Sequence, residues 1–162
     1  MSLKTLLSLP SAPGDITKRA LDVIMPTHNT PKNRGLRLTM DAIEALYKNT
    51  RLPFHFIVVD DSSDITPLYF VQLQQEHDNI TFIHSETPFQ CGNQIFNIGL
   101  KHAKSDYVAT VMNSIRVEPD WEIVGLDILQ REPRVGIVGF KTLLLNGLIE
   151  SAGVKMKHWL PM

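Results

Sequence analysis

The sequence predicts an α/β fold with a mainly parallel sheet, and three observations carry that expectation. Phe56-Ile57-Val58-Val59 runs straight into Asp60-Asp61-Ser62-Ser63. A run this short and apolar fits a strand covered on both faces, as in a parallel sheet. Strand-like runs alternate with stretches of helical periodicity between Leu21 and Phe140, which implies right-handed crossovers between parallel strands. Near the end, Asn146-Gly147 lies between two apolar runs and reads as a type I′ hairpin turn that makes the sheet mixed.

Residues 1–20 contain Pro, Ser and Gly and read as an N-terminal arm with an apolar patch around Leu6 and Leu9; residues 21–162 read as one domain. Leu21 to Met25 predicts the first strand, stopped by Pro26, which has no N–H for a ladder. Thr27 to Arg37 is a polar loop with Pro31 and Gly35 as turn residues. A helix follows over Leu38–Lys48, with Met40, Ile43, Leu46 and Tyr47 at helical spacing. Leu52-Pro53 separates it from the central strand, which ends at Asp60. Thr66-Pro67 is an N-cap followed by proline at the first helical position, and that helix runs to about His77. Asp78-Asn79 turns into a third strand over Ile80–Ile83, and Ser85–Gly92 is a loop. Asn93–Lys104 predicts a helix in which Gly99 marks a close approach to a neighbour. Asp106–Met112 is a fourth strand, Asp120-Trp121 opens a helix to about Arg131, and Val135–Phe140 reads as a buried strand before the hairpin. In the helix from Asp120, Trp121, Val124 and Ile128 share a face, and Trp121 reads as core.

The chain has 162 residues, enough for a single domain that buries roughly two thirds of its unfolded surface. The net charge of -1 supplies no basic field for a polyanion, which speaks against nucleic acid as a partner. No apolar run is long enough to span a bilayer. The single cysteine, Cys91, allows no intrachain disulfide, so the expectation is a reducing, cytoplasmic setting.

The chemistry converges on strand ends. Open α/β sheets bind ligands outside the carboxyl ends of their strands. Met25-Pro26-Thr27-His28-Asn29, Asp60-Asp61 and Met112-Asn113-Ser114 all follow predicted strands. The Asp60-Asp61 pair has three readings. It can cap a turn, it can belong to a phosphoacceptor pocket, or it can bind a nucleotide by accepting charge-assisted hydrogen bonds from a base or ribose. The second is weak, because the strands ending at Ile83-His84 and Met112-Asn113 supply no further aspartate. Gln90-Cys91-Gly92-Asn93 leads into a helix N-terminus, a place that suits phosphate or is simply a helix entry. Cys91 reads as an inert thiol, since no spacing ties His84 or His102 to it. The six histidines show no metal-ligand spacing.

Taken in order, these motifs resemble the donor-binding half of family 2 glycosyltransferases over about residues 21–156. Leu21 through Asn29 is similar to the family's opening strand and loop, with His28 where tyrosine is usual. Ile57 to Asp64 resembles its Val-Asp-Asp-x-Ser-x-Asp segment. Gly92, Asn97, Gly99, Ala103, Asp106 and Tyr107 fall on its G-x-x-x-x-N-x-G-x-x-x-A-x-x-D-Y pattern. Glu118 to Trp121 matches the segment beyond the metal motif. Val135–Gly139, Asn146-Gly147 and Ser151-Ala152-Gly153 resemble the strand and hairpin that follow.

The resemblance implies a Rossmann-like GT-A nucleotide-diphospho-sugar transferase fold and inverting transfer from a UDP-type donor. It implies nucleotide contacts at Pro26, Thr27, His28, Asn29, Asp60, Asp61, Gly92, Asn97 and Asn113, with Asp61 on the base. Manganese or magnesium is expected of the family. Here, however, the Asp-x-Asp slot falls on Met112-Asn113-Ser114, which lacks carboxylates, so no metal ligand is assigned and Lys32, Arg34 or Arg37 are the candidate counter-charges. The family's catalytic base and acceptor half lie beyond the hairpin, so the domain is read as incomplete at its C-terminus and inactive alone. No carboxylate, Glu118 and Glu150 included, is assigned as base, and the acceptor is unidentified. A degenerate nucleotide-sugar-binding or scaffolding module, and an α/β interaction domain with no nucleotide, remain as alternatives.

Overall fold

The computed structural model describes residues 20–30, 35–64, 66–89 and 91–153. The expected arm and the loop residues Pro31, Lys32 and Arg34 lie outside them, as does Gln90. The chain divides into two compact units, Met1–Trp121 and Glu122–Met162.

The first unit is a parallel sheet with helices on both faces. Its elements are β1 (Leu21–Thr27), α1 (Gly35–Asn49), β2 (Phe54–Asp61), α2 (Thr66–Glu76), β3 (Ile80–Ser85), α3 (Gly92–His102) and β4 (Val108–Thr110). The strand order is β3-β2-β1-β4, all parallel. The chain grows outward from β1 through β2 to β3 and then crosses back to add β4 on the other side. The topological switch point therefore lies between β1 and β4, where α/β sheets leave a crevice at the carboxyl edge.

Strand alternation sorts the core. On one face Val23, Met25, Phe56 and Val58 meet Ala42, Ile43 and Leu46 of α1 and Phe70 and Leu73 of α2. On the other, Ile24, Ile57 and Val59 pack with Ile95 of α3. Fully burying an aliphatic or aromatic side chain is worth about 1.5–3 kcal/mol, so β1 and β2 carry much of the stability. Gly99 of α3 is buried, and a Cβ there would stand 2.5 Å from Ile24 Cγ2, the close approach its position predicts. Trp121 is core, as expected, and its Nε1 donates to Thr50 Oγ1 at 3.0 Å.

Several boundaries differ from expectation. β1 does not stop at Pro26 but runs to Thr27, with Pro26 opposite Val59 of β2. Asp22 N donates to Tyr107 O and Ile24 O accepts from Val111 N, so even-numbered residues of β1 point their backbone groups toward β4. Pro26 thus directs its missing N–H to a side where β4 has already ended. β2 extends one residue further, to Asp61, paired with Ser85. On α1 the inward row is Gly35, Thr39, Ala42, Ile43 and Leu46, while Met40 is exposed. The helix starts earlier than its apolar residues suggest, and the polar Thr39 takes the inward place.

In the second unit, α4 (Trp121–Arg131) leads to β5 (Thr142–Leu143) and β6 (Ile149–Ser151), an antiparallel pair. Val124 of α4 is exposed rather than on a buried face. Val135–Phe140 forms no strand and is mostly exposed. With glycines at 136 and 139 it has few side chains to support a ladder, and its anchor is the Phe140 ring lying over Gly125. The hairpin turn is also not type I′. Gly147 N donates to Leu144 O and Leu144 N to Leu148 O, and of Asn146 and Gly147 only the glycine has positive φ, at 82°. That is a type I turn closed by a left-handed glycine bulge.

Candidate functional site

The loops after β1, β2 and β4 meet at the carboxyl edge of the first unit's sheet. β2 ends in two aspartates, and alternation sends their side chains to opposite faces. Asp60 turns inward and is fully buried. Its Oδ1 accepts from Thr27 Oγ1 and Ser63 Oγ, both at 2.5 Å, and its Oδ2 from Ser63 N at 3.2 Å and His84 Nδ1 at 2.8 Å. Such saturation is what a buried carboxylate requires. Asp60 therefore ties the ends of β1, β2 and β3 together. It does so across Ser62, which adopts the left-handed conformation at φ 51°.

Asp61 is half-buried. Its Oδ1 accepts from Phe89 N at 2.8 Å, holding the loop after β3, and its Oδ2 has no partner among the described residues. His28 is exposed and its Nδ1 lies 2.6 Å from the Asp61 carbonyl oxygen. A carbonyl only accepts, so Nδ1 must carry the proton. One loop thus holds the other's backbone in place beside the Asp61 carboxylate.

A third strand end joins through amides. Asn29 is fully buried; its N donates to Ser63 Oγ at 2.7 Å and its Oδ1 accepts from Thr39 Oγ1 at 3.1 Å. Asn113 Nδ2 donates to Thr39 Oγ1 at 3.0 Å and to Asn29 Oδ1 at 3.3 Å. Asn29 Nδ2 is buried with no partner among the described residues. On either side of Asn113, Met112 and Ser114 are exposed.

Of the residues expected at the site, Thr27, Asn29, Asp60 and Asn113 thus form one network, with His28 and Asp61 at its rim and Pro26 in β1. Gly92 is exposed at the first turn of α3 and Asn97 exposed on its second, neither bonded into that network. Arg37 is exposed on α1. Cys91 precedes α3 in extended conformation with no side-chain cap, and is exposed. Residue-type reasoning missed His84 as the partner of Asp60 and Thr39 as the keystone between Asn29 and Asn113. The first signal was available in register, since His84 faces Asp60 across the β2–β3 ladder.

At the opposite edge of the sheet a second polar line was also missed. Asp22 Oδ1 meets His55 Nδ1 at 2.8 Å, and His55 Nε2 meets Thr81 Oγ1 at 2.9 Å. Lys104 N and Ser105 N both donate to Asp22 Oδ2 at 2.6 Å. Burial works to raise the Asp22 pKa, but these backbone donors and His55 hold it below its ordinary value. This line fastens α3's exit to β1, away from the carboxyl edge.

Residues 22–140 match the family described as Glycosyl transferase family 2. The chain belongs to that family. It is 30% identical over 139 residues to y4gI, an uncharacterized protein of Sinorhizobium fredii (strain NBRC 101917 / NGR234), covering 83% of this chain and 14% of that protein. Among solved structures, S. aureus TarS 1-349 superposes with a TM-score of 0.59 at 22% identity, over 70% of this chain and 33% of that one. Its complex with UDP-GlcNAc gives 0.59 at 19% identity, over 78% and 41%. The mannosyltransferase PcManGT from Pyrobaculum calidifontis, solved with GDP-Man and Mn2+, gives 0.50 at 25% identity, over 68% and 32%. The fold is the GT-A glycosyltransferase fold, and the chain spans about a seventh of its curated relative and a third of TarS 1-349. Among the described residues no helix is long and apolar enough to cross a membrane.

A family 2 member is expected to use a divalent cation. Met112, Asn113 and Ser114 do not suit one: magnesium and manganese want hard, charged oxygen, and this donor set is a thioether, a neutral amide whose nitrogen is bonded inward, and a neutral hydroxyl.

Proposed function

We propose that this chain is the donor-binding part of a glycosyltransferase, taking a UDP-type sugar nucleotide for inverting transfer. The observation that carries the reading is the Asp61 carboxylate. It stands at the carboxyl edge of β2, held by Phe89 N, with one oxygen unpartnered among the described residues. A carboxylate so held accepts a hydrogen bond from a base imide N–H. The Pro26–Asn29 loop forms the wall beside it, and Asp60 sets the position of both without touching ligand. Gly92 and the first turn of α3 stand on the phosphate side, where backbone N–H groups favour an anion. Asn97 and Asn113 complete the proposed lining. Complexes of TarS with UDP-GlcNAc and with UDP support a uridine nucleotide.

In an inverting transfer an acceptor hydroxyl attacks the anomeric carbon in line while a carboxylate takes its proton. We assign neither the acceptor nor that base to a residue of this chain, and propose that the chain alone binds donor without transferring sugar. The lone, exposed Cys91 fits a reducing, cytoplasmic setting. A second reading, a non-catalytic sugar-nucleotide module, is favoured by the altered slot at Met112-Asn113-Ser114.

Calorimetric titration with UDP tests the proposal. Asp61→Ala should weaken binding roughly 10- to 150-fold, the worth of a hydrogen bond to a charged group. Equal affinity in wild type and variant would remove Asp61 from the site. Incubation with UDP-sugars and an acceptor panel should release no nucleotide above background; release would place the base inside this chain.

A further inference from the structure

We propose that this chain holds its nucleotide diphosphate without a divalent cation, its would-be metal slot having become a hydrogen-bond clasp. The inference rests on the nucleotide reading above and concerns how that site treats charge. Three observations carry it.

The first is the donor set. Met112 is 49% exposed and offers only a soft sulfur. Ser114 offers a neutral hydroxyl. Neither supplies the one or two carboxylates by which a protein holds a phosphate-bound magnesium or manganese.

The second is the middle of the slot. The Asn113 amide is committed on its nitrogen side, which leaves the slot one neutral amide oxygen and no carboxylate. Its Nδ2 is shared between Thr39 Oγ1 and Asn29 Oδ1, both on fully buried residues. The slot thus pins the β4 exit to α1 and to the loop after β1. An amide used this way keeps the crevice walls in register whether or not a cation is present.

The third is the surroundings. Asp60, joined to this cluster through Ser63, is saturated by four donors from Thr27, Ser63 and His84. Asp61 gives one oxygen to Phe89 N. Among the described residues no three His, Cys, Asp or Glu side chains gather in a set that can hold a metal ion. One polar atom left over beside the slot is Asn29 Nδ2, a buried N–H donor without a partner among the described residues. A donor suits an anionic oxygen and repels a cation. The slot is therefore neutral, with an N–H donor behind it, where an Asp-x-Asp pair would carry negative charge.

The test is calorimetric titration of the whole chain with UDP, in manganese chloride and again in EDTA at matched ionic strength. The free-manganese resonance signal is followed in parallel. The proposal expects dissociation constants that agree within about twofold and no uptake of manganese in the ternary mixture. Binding that appears or tightens at least about tenfold only with manganese overturns it. No UDP binding in either buffer instead overturns the nucleotide reading, a failure distinct from the first. In a second arm, Met112→Asp with Ser114→Asp should introduce manganese-dependent tightening and manganese uptake. A double variant that still ignores manganese overturns the assignment of this slot.

Discussion

Replacing Asp60 and Asp61 one at a time should separate an anchor from a proposed ligand contact, although the two are neighbours on one strand. Asp60→Ala strips acceptors from the Thr27 and Ser63 hydroxyls, the Ser63 N–H and His84 Nδ1. Thr27 and Ser63 are buried, so water cannot replace the lost partner. Each orphaned polar group costs about 1–3 kcal/mol. The hydroxyls can rotate toward other acceptors, and Ser63 Oγ still accepts from Asn29 N. A total of about 3–5 kcal/mol is therefore expected from the orphaned groups together. At a urea dependence of about 1.5 kcal/mol/M this lowers the unfolding midpoint by about 2–3 M. The core residue Trp121 supplies the fluorescence signal. Asp60→Asn keeps the volume and one acceptor oxygen, and serves if the alanine variant does not fold. Asp61→Ala removes one bond at a half-exposed position and should cost about 1 kcal/mol. An Asp60→Ala cost below that of Asp61→Ala would refute the division of roles.

Gly99→Ala should destabilise by about 1–3 kcal/mol through overpacking, since its Cβ would stand 2.5 Å from Ile24 Cγ2. In chemical unfolding, the penalty should shrink when Ile24→Ala is made in the same chain. Asp22 is held below its ordinary value of 3.8 in the folded protein, so it contributes stability above that pH and loses it as pH falls through the folded pKa. Wild type and Asp22→Asn should therefore differ most in unfolding midpoint near neutrality and converge only as pH falls from 3.8 through the lower folded pKa. A gap that persists at low pH would place the effect in packing rather than charge.

The sheet was legible because apolar runs with strand length and intervening helical periods leave little choice of architecture. The strand-end cluster was legible as well, since Pro26–Asn29, Asp60-Asp61 and Met112–Ser114 each follow such a run. What each residue does there was not. Asp60 and Asp61 look alike in sequence, and only strand alternation separates the buried carboxylate from the half-exposed one. Thr39 is invisible to a reading of apolar spacing because it is a polar residue in an inward position, justified by Asn29 and Asn113 from distant segments. Val135–Phe140 misled for the opposite reason. Its composition suits a strand, yet a strand needs a ladder partner, which local sequence does not specify.

The proline within β1 has a consequence for where the slot begins. The β1–β4 ladder climbs by the bond from Val111 N to Ile24 O. Its next rung would need a proton on the nitrogen of residue 26, and a pyrrolidine ring has none. The two strands can therefore zip no further, and the chain leaves β4 to turn back at Met112, whose carbonyl takes Ile115 N at 3.0 Å. The crevice mouth is thus set by a covalent ring rather than by the bulk of any side chain. Its lower boundary is fixed in the backbone, while the residues that line it above are left to vary.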